Sequence, residues 1–449
     1  MSFPRYSAYN DSGIDWMGEV PADWAVAAVA HRYEVVLGKM LDEKQITGDH
    51  LAPYLRNVDV QWDRIDTDDL PQMDFAGAHL DRFRLAVGDL LVCEGGEVGR
   101  AAIWQGELSE CYYQKALHRL RPRSDGADHS RFMFYLLKMA ADRGVFAASG
   151  GKSTIAHLTA EGLRRHRFAF PSTQVQVDVA RFLDHETAKI DALVEEQKRL
   201  IELLKEKRQA VISHAVTKGL NPNAPMKDSG VEWLGEVPAH WHVLPLKYFA
   251  DIGNGSTPNR DRADYWCPTG FPWLSSTVVN QDEVTQADEF VTALALAECH
   301  LPRVQPPAIL IGITGQGRTR GMATTLMIEA TINQHIAYAR PRGETIKLGY
   351  LRRLFDMAYS KLRADSEAGG STKAAITCDQ IANLRFPLPP AAEQDEVAQA
   401  IALEAVKFDA LAEDATQAMS LLQERRTALI SAAVTGMIDV RRAAAEASV

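Results

Sequence analysis

The sequence predicts an α+β protein that is a tandem duplication of two α/β globules, each followed by a long helix. The two helices are expected to pair as an antiparallel coiled coil. Three sequence blocks recur in the same order at an offset of about 218 residues. Each copy ends with a long stretch without Gly or Pro, in which apolar residues recur every three or four positions. Between the blocks, short strand-like runs alternate with Gly-rich turns and short helical stretches.

The repeated blocks frame segments that have diverged. The block that opens each copy is identical at ten of its fourteen positions. The blocks are DSGIDWMGEVPADW (11–24) with DSGVEWLGEVPAHW (228–241), GGKSTIAHLTAEGLRRHRFAFP (150–171) with GGSTKAAITCDQIANLRFPLP (369–389), and LLKEKRQAVISHAVT (203–217) with LLQERRTALISAAVT (421–435). Because the repeated blocks are alike and the segments between them have diverged, the two copies are expected to share one scaffold and to carry two different surfaces.

The closing stretches have the heptad pattern of a coiled coil, with alternating steps of four and three. A helix of about 43 residues is roughly 65 Å long. It is therefore longer than its own globule and needs another helix to pack against. The alternative is two unrelated amphipathic helices, each packed on its own domain. The residues predicted to pair the helices and form the spacer are Val179, Leu183, Ile190, Leu193, Leu200, Leu204, Val211, Val397, Ile401, Phe408, Leu411, Leu422 and Leu429.

The connectivity predicts the direction of pairing. If the ends of the second globule lie close together, as domain ends often do, the second helix starts where the first stops. The helices are then antiparallel, and Glu186 could meet Arg425 while Lys207 meets Glu404. The predicted domains are a first globule at 1–170, a first helix at 171–219, a second globule at 220–389, a second helix at 390–436 and a tail at 437–449.

The charge distribution leaves the class of partner open. The formal net charge is −10, but residues 303–355 carry eight Lys or Arg against two acidic residues, whereas 58–74 carries six Asp against one Arg. A DNA-binding protein can be acidic overall when one face is basic or when partner subunits share the phosphate contacts. The acidic balance therefore does not exclude DNA.

The cysteines and the apolar runs bear on location and on metals. The five cysteines are scattered without a CxxC pair, which argues against a zinc site and fits a reducing cytoplasm. No apolar run approaches the ~18 residues that a membrane span needs. We expect a cytoplasmic protein without membrane contact and without a bound metal.

Two Gly- and Arg-rich loops and two polar clusters are candidates for contact with nucleic acid. The loops are EGGEVGR (94–100) and TGQGRTRG (314–321), and each follows a strand-like run. The polar clusters are YYQ (112–114) and NQH (333–335), and each opens a strand-like run. Arg and Lys suit phosphates and guanine, and Gln suits adenine. The alternative is that these are hairpin turns that bind nothing. The candidate DNA-binding residues are Arg100, Gln114, Lys115, Arg119, Lys152, Arg318, Arg320, Gln334 and Lys373.

Patterns of catalytic and cofactor-binding sites are missing. GGKST (150–154) resembles part of a nucleotide-binding loop, but Phe146 occupies the position where that loop needs Gly. No methyl-donor or dinucleotide fingerprint, HExxH or Gly-x-Ser-x-Gly motif occurs. The sequence therefore predicts a non-catalytic binding protein.

The repeated opening block, together with long helices that end in ISHAVTKG and ISAAVTGM, resembles the specificity subunit of type I restriction–modification systems. The resemblance covers nearly the whole chain. It implies two target-recognition domains that each read half of a bipartite site in double-stranded DNA. It also implies helices that act as a spacer and dock two modification (methyltransferase) subunits, to which a restriction subunit is added.

The resemblance implies that S-adenosylmethionine, ATP and Mg act in those partner subunits and that this chain binds no cofactor. It carries over no base-contacting residue, because recognition domains vary most within the family. The other reading of the sequence is a two-headed protein-interaction scaffold without direct DNA contact.

Overall fold

The computed structural model describes residues 3–40, 47–124, 126–148, 157–315, 317–368 and 374–446. The chain divides into two compact units. Unit 1 combines residues 1–197 with 416–449, and unit 2 is residues 198–415. The division passes through the middle of both long helices, whereas the predicted domains are bounded at the helix ends. Each unit therefore holds one globule and a segment of each helix.

Unit 1 is a mixed α+β globule. Its strands are β1 (Tyr9–Asp11), β2 (Glu19–Pro21), β3 (Ala25–Ala28), β4 (Tyr33–Leu37), β5 (Leu51–Leu55), β6 (Val60–Gln61), β7 (Arg64–Ile65), β8 (Gln72–Asp74), β9 (Leu90–Cys93), β10 (Ala101–Ile103), β11 (Tyr112–Tyr113), β12 (Leu117–Pro122) and β13 (Arg167–Phe170). Its helices are α1 (Val29–Arg32), α2 (Ala78–Phe83), α3 (Ser130–Asp142), α4 (Val145–Ala148), α5 (Ala160–Arg165) and the first part of α6 (Thr173–Lys218). The main sheet has the order β10-β9-β12-β4, and a second sheet has the order β11-β5-β8.

Unit 2 repeats this plan with longer sheets. Its strands are β14 (Met226–Asp228), β15 (Glu236–Pro238), β16 (His242–Pro245), β17 (Ala250–Asn254), β18 (Trp266–Cys267), β19 (Phe271–Leu274), β20 (Glu283–Val284), β21 (Glu289–Val291), β22 (Ala308–Gly312), β23 (Ala323–Leu326), β24 (Thr331–Ile332), β25 (Ile336–Pro341) and β26 (Arg385–Leu388). The helices that follow in the chain are α7 (Ala293–Glu298), α8 (Leu348–Ala368), α9 (Cys378–Asn383), α10 (Ala391–Val434) and, in unit 1, α11 (Arg441–Glu446). The two largest sheets have the orders β17-β25-β22-β23-β20 and β18-β21-β19-β24.

The strand-like runs and helical stretches predicted inside the globules are confirmed. Strands β9 and β22 are buried along their whole length, as expected of apolar runs at the centre of a sheet. Helix α3 buries Phe132, Met133 and Leu136 in the core of unit 1. Helix α8 buries Tyr350 and Leu354 in the core of unit 2.

In each globule, a strand near the beginning pairs with the strand that directly precedes the long helix. In unit 1, β3 pairs antiparallel with β13, directly before α6. In unit 2, β16 pairs antiparallel with β26, directly before α10. The chain therefore enters and leaves each globule at neighbouring points, which is the geometry that the antiparallel prediction required.

The long helices pair antiparallel within each unit. In unit 1, Arg426 Nε donates to Asp191 Oδ1 at 3.0 Å. In unit 2, Arg208 Nη1 donates to Asp409 Oδ1 at 2.6 Å. The later part of each helix thus lies against the earlier part of the other, and the predicted antiparallel coiled coil is confirmed.

The two charge pairs that antiparallel pairing would allow are not found among the ion pairs of the described residues. Glu186 bonds Lys189, three residues along its own helix. Glu404 bonds Lys407 in the same way. Both glutamates lie beside the seam, so a lysine one turn away on the same helix reaches them first.

The seam itself differs from the prediction at three of the thirteen predicted residues. Leu193, Leu200 and Leu411 are 44%, 41% and 49% exposed, and the buried or half-buried position is the next residue in each case. Periodicity cannot separate neighbours when both are apolar, as in Leu193–Val194. Of the other predicted residues, the buried ones are Val179, Leu183, Ile190, Leu204, Val397, Ile401 and Phe408. The half-buried ones are Val211, Leu422 and Leu429.

The duplicated opening block packs against the end of a long helix. Gly219 and Gly436 follow α6 and α10 with φ of +71° and +70°, the left-handed conformation of a helix C-cap. A Cβ on Gly219 would lie 3.2 Å from the Trp241 ring, and one on Gly436 would lie 3.2 Å from the Trp24 ring. The second tryptophan of each repeated block therefore packs closely on the glycine at a helix end, which links the first and third repeated blocks.

Among the described residues, none of the helices is both long enough and apolar enough to cross a lipid bilayer.

Candidate nucleic-acid interface

Three loops of unit 2 meet at one edge of the five-stranded sheet. The first, here the clamp loop (255–262), follows β17, the second is the polar cluster 333–335 before β25, and the third is the Gly-rich loop 314–321 after β22. The amide of Ser256 donates to Ile332 O at 3.0 Å, and the amide of Ile313 donates to His335 O at 2.9 Å. The backbone thus fixes the three loops to one another.

Side chains connect the same three loops. Thr257 Oγ1 donates to Gln334 Oε1. Gln334 Nε2 lies 3.2 Å from His335 Nε2. His335 Nδ1 lies 2.7 Å from Thr314 Oγ1. The result is a continuous polar chain that runs from the clamp loop through the polar cluster to the Gly-rich loop.

The clamp loop is held by two tryptophans, and sequence reasoning missed it. Trp273 Nε1 donates to Ser256 O and Trp266 Nε1 donates to Asn259 O, both at 3.2 Å. The Arg260 guanidinium stacks 3.9 Å from the centroid of the Trp266 ring. A Gly-Ser-Thr-Pro turn followed by two tryptophans was the available signal, but indole donors to a loop backbone have no fixed sequence spacing.

Arg260 is presented at the surface by this clamp. Its guanidinium also pairs with Glu289, and that hydrogen bond raises the pKa of Arg260. Both side chains remain about half exposed. A stacked and charged arginine at a loop surface can contact a phosphate or a base edge.

Unit 1 has a corresponding loop crossing, which is the place where the loops meet, and its side chains there are different. The amide of Lys39 donates to Tyr113 O at 3.1 Å, and the amide of Glu94 donates to Ala116 O at 3.0 Å. These bonds match those of Ser256 and Ile313, so Lys115 occupies the place of Gln334. Residues 41–46, which continue the loop after Lys39, lie outside the described residues.

A buried histidine supports the crossing in unit 1. His118, on β12, has its Nε2 at 2.6 Å from Leu158 O. Burial lowers the pKa of His118, so the neutral ring can donate its Nε2 proton to that carbonyl. The bond fixes the segment before α5 to the sheet beside the Gly-rich loop, because the amide of Leu158 also donates to Glu94 O at 2.7 Å.

The predicted DNA-binding residues fall into several environments. Lys115 and Gln334 are exposed at the loop crossings, Arg318 is exposed in the Gly-rich loop, and Gln114 is half-buried beside Lys115. Arg100 is turned inward, and its Nη2 donates to Asn57 O at 2.9 Å. Lys152 and Lys373 lie outside the described residues, as does GGKST (150–154).

Arg119 and Arg320 require a correction, because both guanidinium groups are buried. Arg119 lies on the central strand β12 and pairs with Glu34 at 2.8 Å. Arg320 pairs with Glu367, and its Nη1 donates to Ala374 O at 3.3 Å. The sequence showed two arginines in exposed-looking contexts, but their long side chains turn into internal acceptors. In this structure they hold loops and strands together rather than face solvent.

Close packing at the crossing leads to a first prediction. A Cβ on Gly255 would lie 1.7 Å from Ile332 O, so Gly255→Ala must push the clamp loop away from the polar cluster. We expect Gly255→Ala to lower the free energy of unfolding of unit 2 by ~1–3 kcal/mol and to weaken DNA binding. Thermal unfolding and DNA titration measure the two effects. Gly317→Ala is the matched control, because a Cβ at Gly317 meets no atom within 4 Å; equal behaviour of the two variants would contradict the prediction.

Among the described residues, no group of three or more His, Cys, Asp or Glu side chains is arranged to hold a metal ion.

Comparison with known proteins gives consistent matches over both halves. The family model of the type I restriction modification DNA specificity domain matches residues 29–203 and 238–403. A putative type I restriction enzyme MjaX specificity subunit from Methanocaldococcus jannaschii is 23% identical over 438 residues, covering 95% of this chain and 96% of the relative. The EcoR124I/EcoR124II specificity subunit of Escherichia coli is 24% identical over 197 residues, covering 43% of this chain and 44% of the relative.

Solved structures share the fold. A chain from a structure of complex assembly and conformational transition of the type I R-M system has a TM-score of 0.65 at 15% identity, over 92% of this chain and 98% of that chain. The HsdS subunit from Thermoanaerobacter tengcongensis has a TM-score of 0.52 at 16% identity, over 93% and 98%. With the family model matched over more than half of its length, this chain belongs to the type I restriction–modification DNA specificity family, whose domain it contains twice.

Proposed function

We propose that this chain reads a bipartite DNA sequence for a type I restriction–modification complex, with one half of the sequence read by each unit. One observation carries the proposal. The backbone bonds that join three loops in unit 2 recur in unit 1, while the exposed side chains at the crossing differ, with Gln334 in one unit and Lys115 in the other. One scaffold that displays two different sets of base-reading groups is what two unlike half-sites require.

The division of labour in the complex follows from the family. The chain supplies sequence reading and no catalysis. Two modification subunits and a restriction subunit supply the chemistry, with S-adenosylmethionine, ATP and Mg bound in those partners. The sequence supports this division, because the catalytic and cofactor motifs sought in it are missing.

A salt titration tests direct DNA contact. We expect the complex with its modification subunits to bind duplex DNA with an affinity that falls as the salt concentration rises. If Arg318 contacts one phosphate, Arg318→Ala should reduce the slope of log affinity against log salt concentration by about one unit. Fluorescence anisotropy over a range of salt concentrations measures both slopes. Arg303→Ala, which removes an exposed arginine from the Phe271 ring in the same unit, is the matched control. A complex that binds its modification subunits but no DNA would favour the protein-interaction scaffold.

The long helices carry a second apolar face that is available for the modification subunits. In unit 2, Leu403 and Val406 of α10 are 61% and 67% exposed, and Leu200 and Leu203 of α6 are 41% and 51% exposed. These leucines and the valine lie outside the seam that pairs the two helices. Exposed apolar residues at a spacing of three on a long helix suit packing against further helices.

Charge substitution on this face tests the docking role. We expect Leu403→Glu combined with Val406→Glu to abolish capture of the modification subunits, because two carboxylates would be buried without partners. Co-purification measures the loss, and far-UV circular dichroism shows whether the chain stays folded. Leu294→Glu changes an exposed leucine of α7, away from the helices, and should leave capture intact. Normal capture by the double variant would remove this face from the interface.

A further inference from the structure

The polar chain of unit 2 ends on an exposed amide, and its geometry points to the base that this amide reads. We infer that Gln334 contacts an adenine in the major groove and that Thr257 and His335 are positioning residues for it. The inference rests on the proposed function, because it requires the loop crossing of unit 2 to face DNA.

Hydrogen bonds engage both ends of the Gln334 amide and hold it in place. Thr257 Oγ1 donates to Gln334 Oε1. Gln334 Nε2 can only donate, so at 3.2 Å it donates to His335 Nε2. His335 Nδ1 in turn lies 2.7 Å from Thr314 Oγ1. In either orientation, one end of the amide contacts the Thr257 hydroxyl and the other contacts the His335 ring, so the side chain is held at both ends.

An amide held in this way keeps one acceptor site and one donor site free. Gln334 Oε1 retains a lone pair, and Nε2 retains a hydrogen, at an exposed position. Adenine presents the complementary pair in the major groove, with N6–H as donor and N7 as acceptor. Guanine presents two acceptors, N7 and O6, so one of them would face the amide oxygen. The fixed amide therefore discriminates adenine from guanine, whereas a freely rotating amide would do so less.

At the matched positions that the structure describes, unit 1 has no equivalent of this row of hydrogen-bonded side chains. The matching backbone bonds place Met40 where unit 2 has Thr257, and Lys115 where it has Gln334. Neither Met40 nor Ala116, which follows Lys115, has a side-chain hydrogen bond to give. Lys115 presents only donors and suits the two acceptors of guanine. The two units thus differ at one structurally matched position in a way that predicts different bases.

Exchange of this one residue tests the inference. The full chain with its modification subunits is allowed to bind a duplex library with randomised half-sites, and the bound DNA is sequenced. We expect Gln334→Lys to move the preference at one base of one half-site from adenine to guanine. A good bidentate contact discriminates bases by roughly tenfold to a hundredfold, so the ratio of adenine to guanine at that base should change by at least tenfold.

Two controls accompany the exchange. Gln286→Lys makes the same charge change at an exposed glutamine of unit 2 and should leave every base preference unchanged. The half-site read by unit 1 is an internal control, since its retention shows that the variant has folded and assembled. If the wild type selects a bipartite sequence and Gln334→Lys leaves all bases unchanged, the inference fails and the proposed function stands. If the wild type selects no sequence, both fail.

A second pair of variants tests the positioning role without altering Gln334. Thr257→Val removes the hydroxyl that fixes the amide and should lower the ratio of adenine to guanine at the same base several-fold. Thr257→Ser keeps the hydroxyl and should retain the wild-type ratio. Equal ratios for the valine and serine variants would overturn the role of Thr257, whatever their effect on overall affinity.

Discussion

Replacement of residues 226–388 by the equivalent segment of another specificity subunit is expected to change one half of the recognised DNA sequence completely and to leave the other half unchanged. The replaced segment runs from β14 to β26 and contains the clamp loop, the polar cluster and the Gly-rich loop of unit 2. The joints lie on either side of the β16·β26 pair, where the chain enters and leaves the globule at neighbouring points. The helices α6 and α10 stay intact, so the frame of the molecule is preserved.

Sequencing of library DNA bound by the chimeric complex measures the result. The reciprocal replacement of residues 3–170 should change the other half-site, which makes each chimera the control for its partner. A chimera that alters both half-sites together would show that the two units do not read DNA independently. That result would contradict the assignment of one half-site to each unit.

Lengthening both long helices by one heptad should widen the gap between the half-sites by about three base pairs. Insertions beside Gln197 and Ala415 fall where the two compact units divide. Seven residues preserve the coiled-coil seam and add ~10 Å at ~1.5 Å per residue, which is about three base pairs of duplex. The Asp191–Arg426 pair and the Arg208–Asp409 pair each lie within one unit, so both are retained.

The duplex also turns along its axis, which makes this a demanding test. Three base pairs are nearly a third of a turn at ~10.5 base pairs per turn, so the selected gap can differ by a base pair from the simple estimate, with weaker binding. Methylation footprints report the gap directly. A heptad inserted in one helix alone is the control, because helices of unequal length lose their pairing and should lose binding. An unchanged gap at full affinity in the doubly extended chain would rule out the helices as the spacer.

The features that the sequence predicted well are those shown by the repeated blocks and by the regular spacing of apolar residues. The duplicated blocks showed the two-copy architecture, and the absence of Gly and Pro from 175–217 indicated α6 closely. The seam positions were harder to predict, because the pattern admits either Leu193 or Val194 and either Leu200 or Ile201. Only the packing of one helix on the other decides which of two adjacent apolar side chains is buried.

The candidate site was predictable in its location but only partly in its residues. Gly, Arg and Gln after strand-like runs marked two of the three loops that meet in unit 2. The inward turn of Arg119 and Arg320 depends on partners far away in the sequence, Glu34 and Glu367, which no local pattern reveals. The clamp loop was missed for the same reason, since its tryptophan donors act on a backbone that only the tertiary fold brings near.

The split composition of unit 1 has a consequence for the order in which the chain folds. Its core combines Tyr6 and Trp24 with Val434, Val440 and Ala444, so it cannot be completed until residues 434–444 have left the ribosome. Unit 2 is continuous in sequence and is synthesised in full before that stretch. We therefore expect unit 2 to mature first, although its residues come later in the sequence than most of unit 1. During that interval the apolar surface of unit 1 that awaits α10 is open to solvent, and it is the part of the nascent protein most exposed to aggregation.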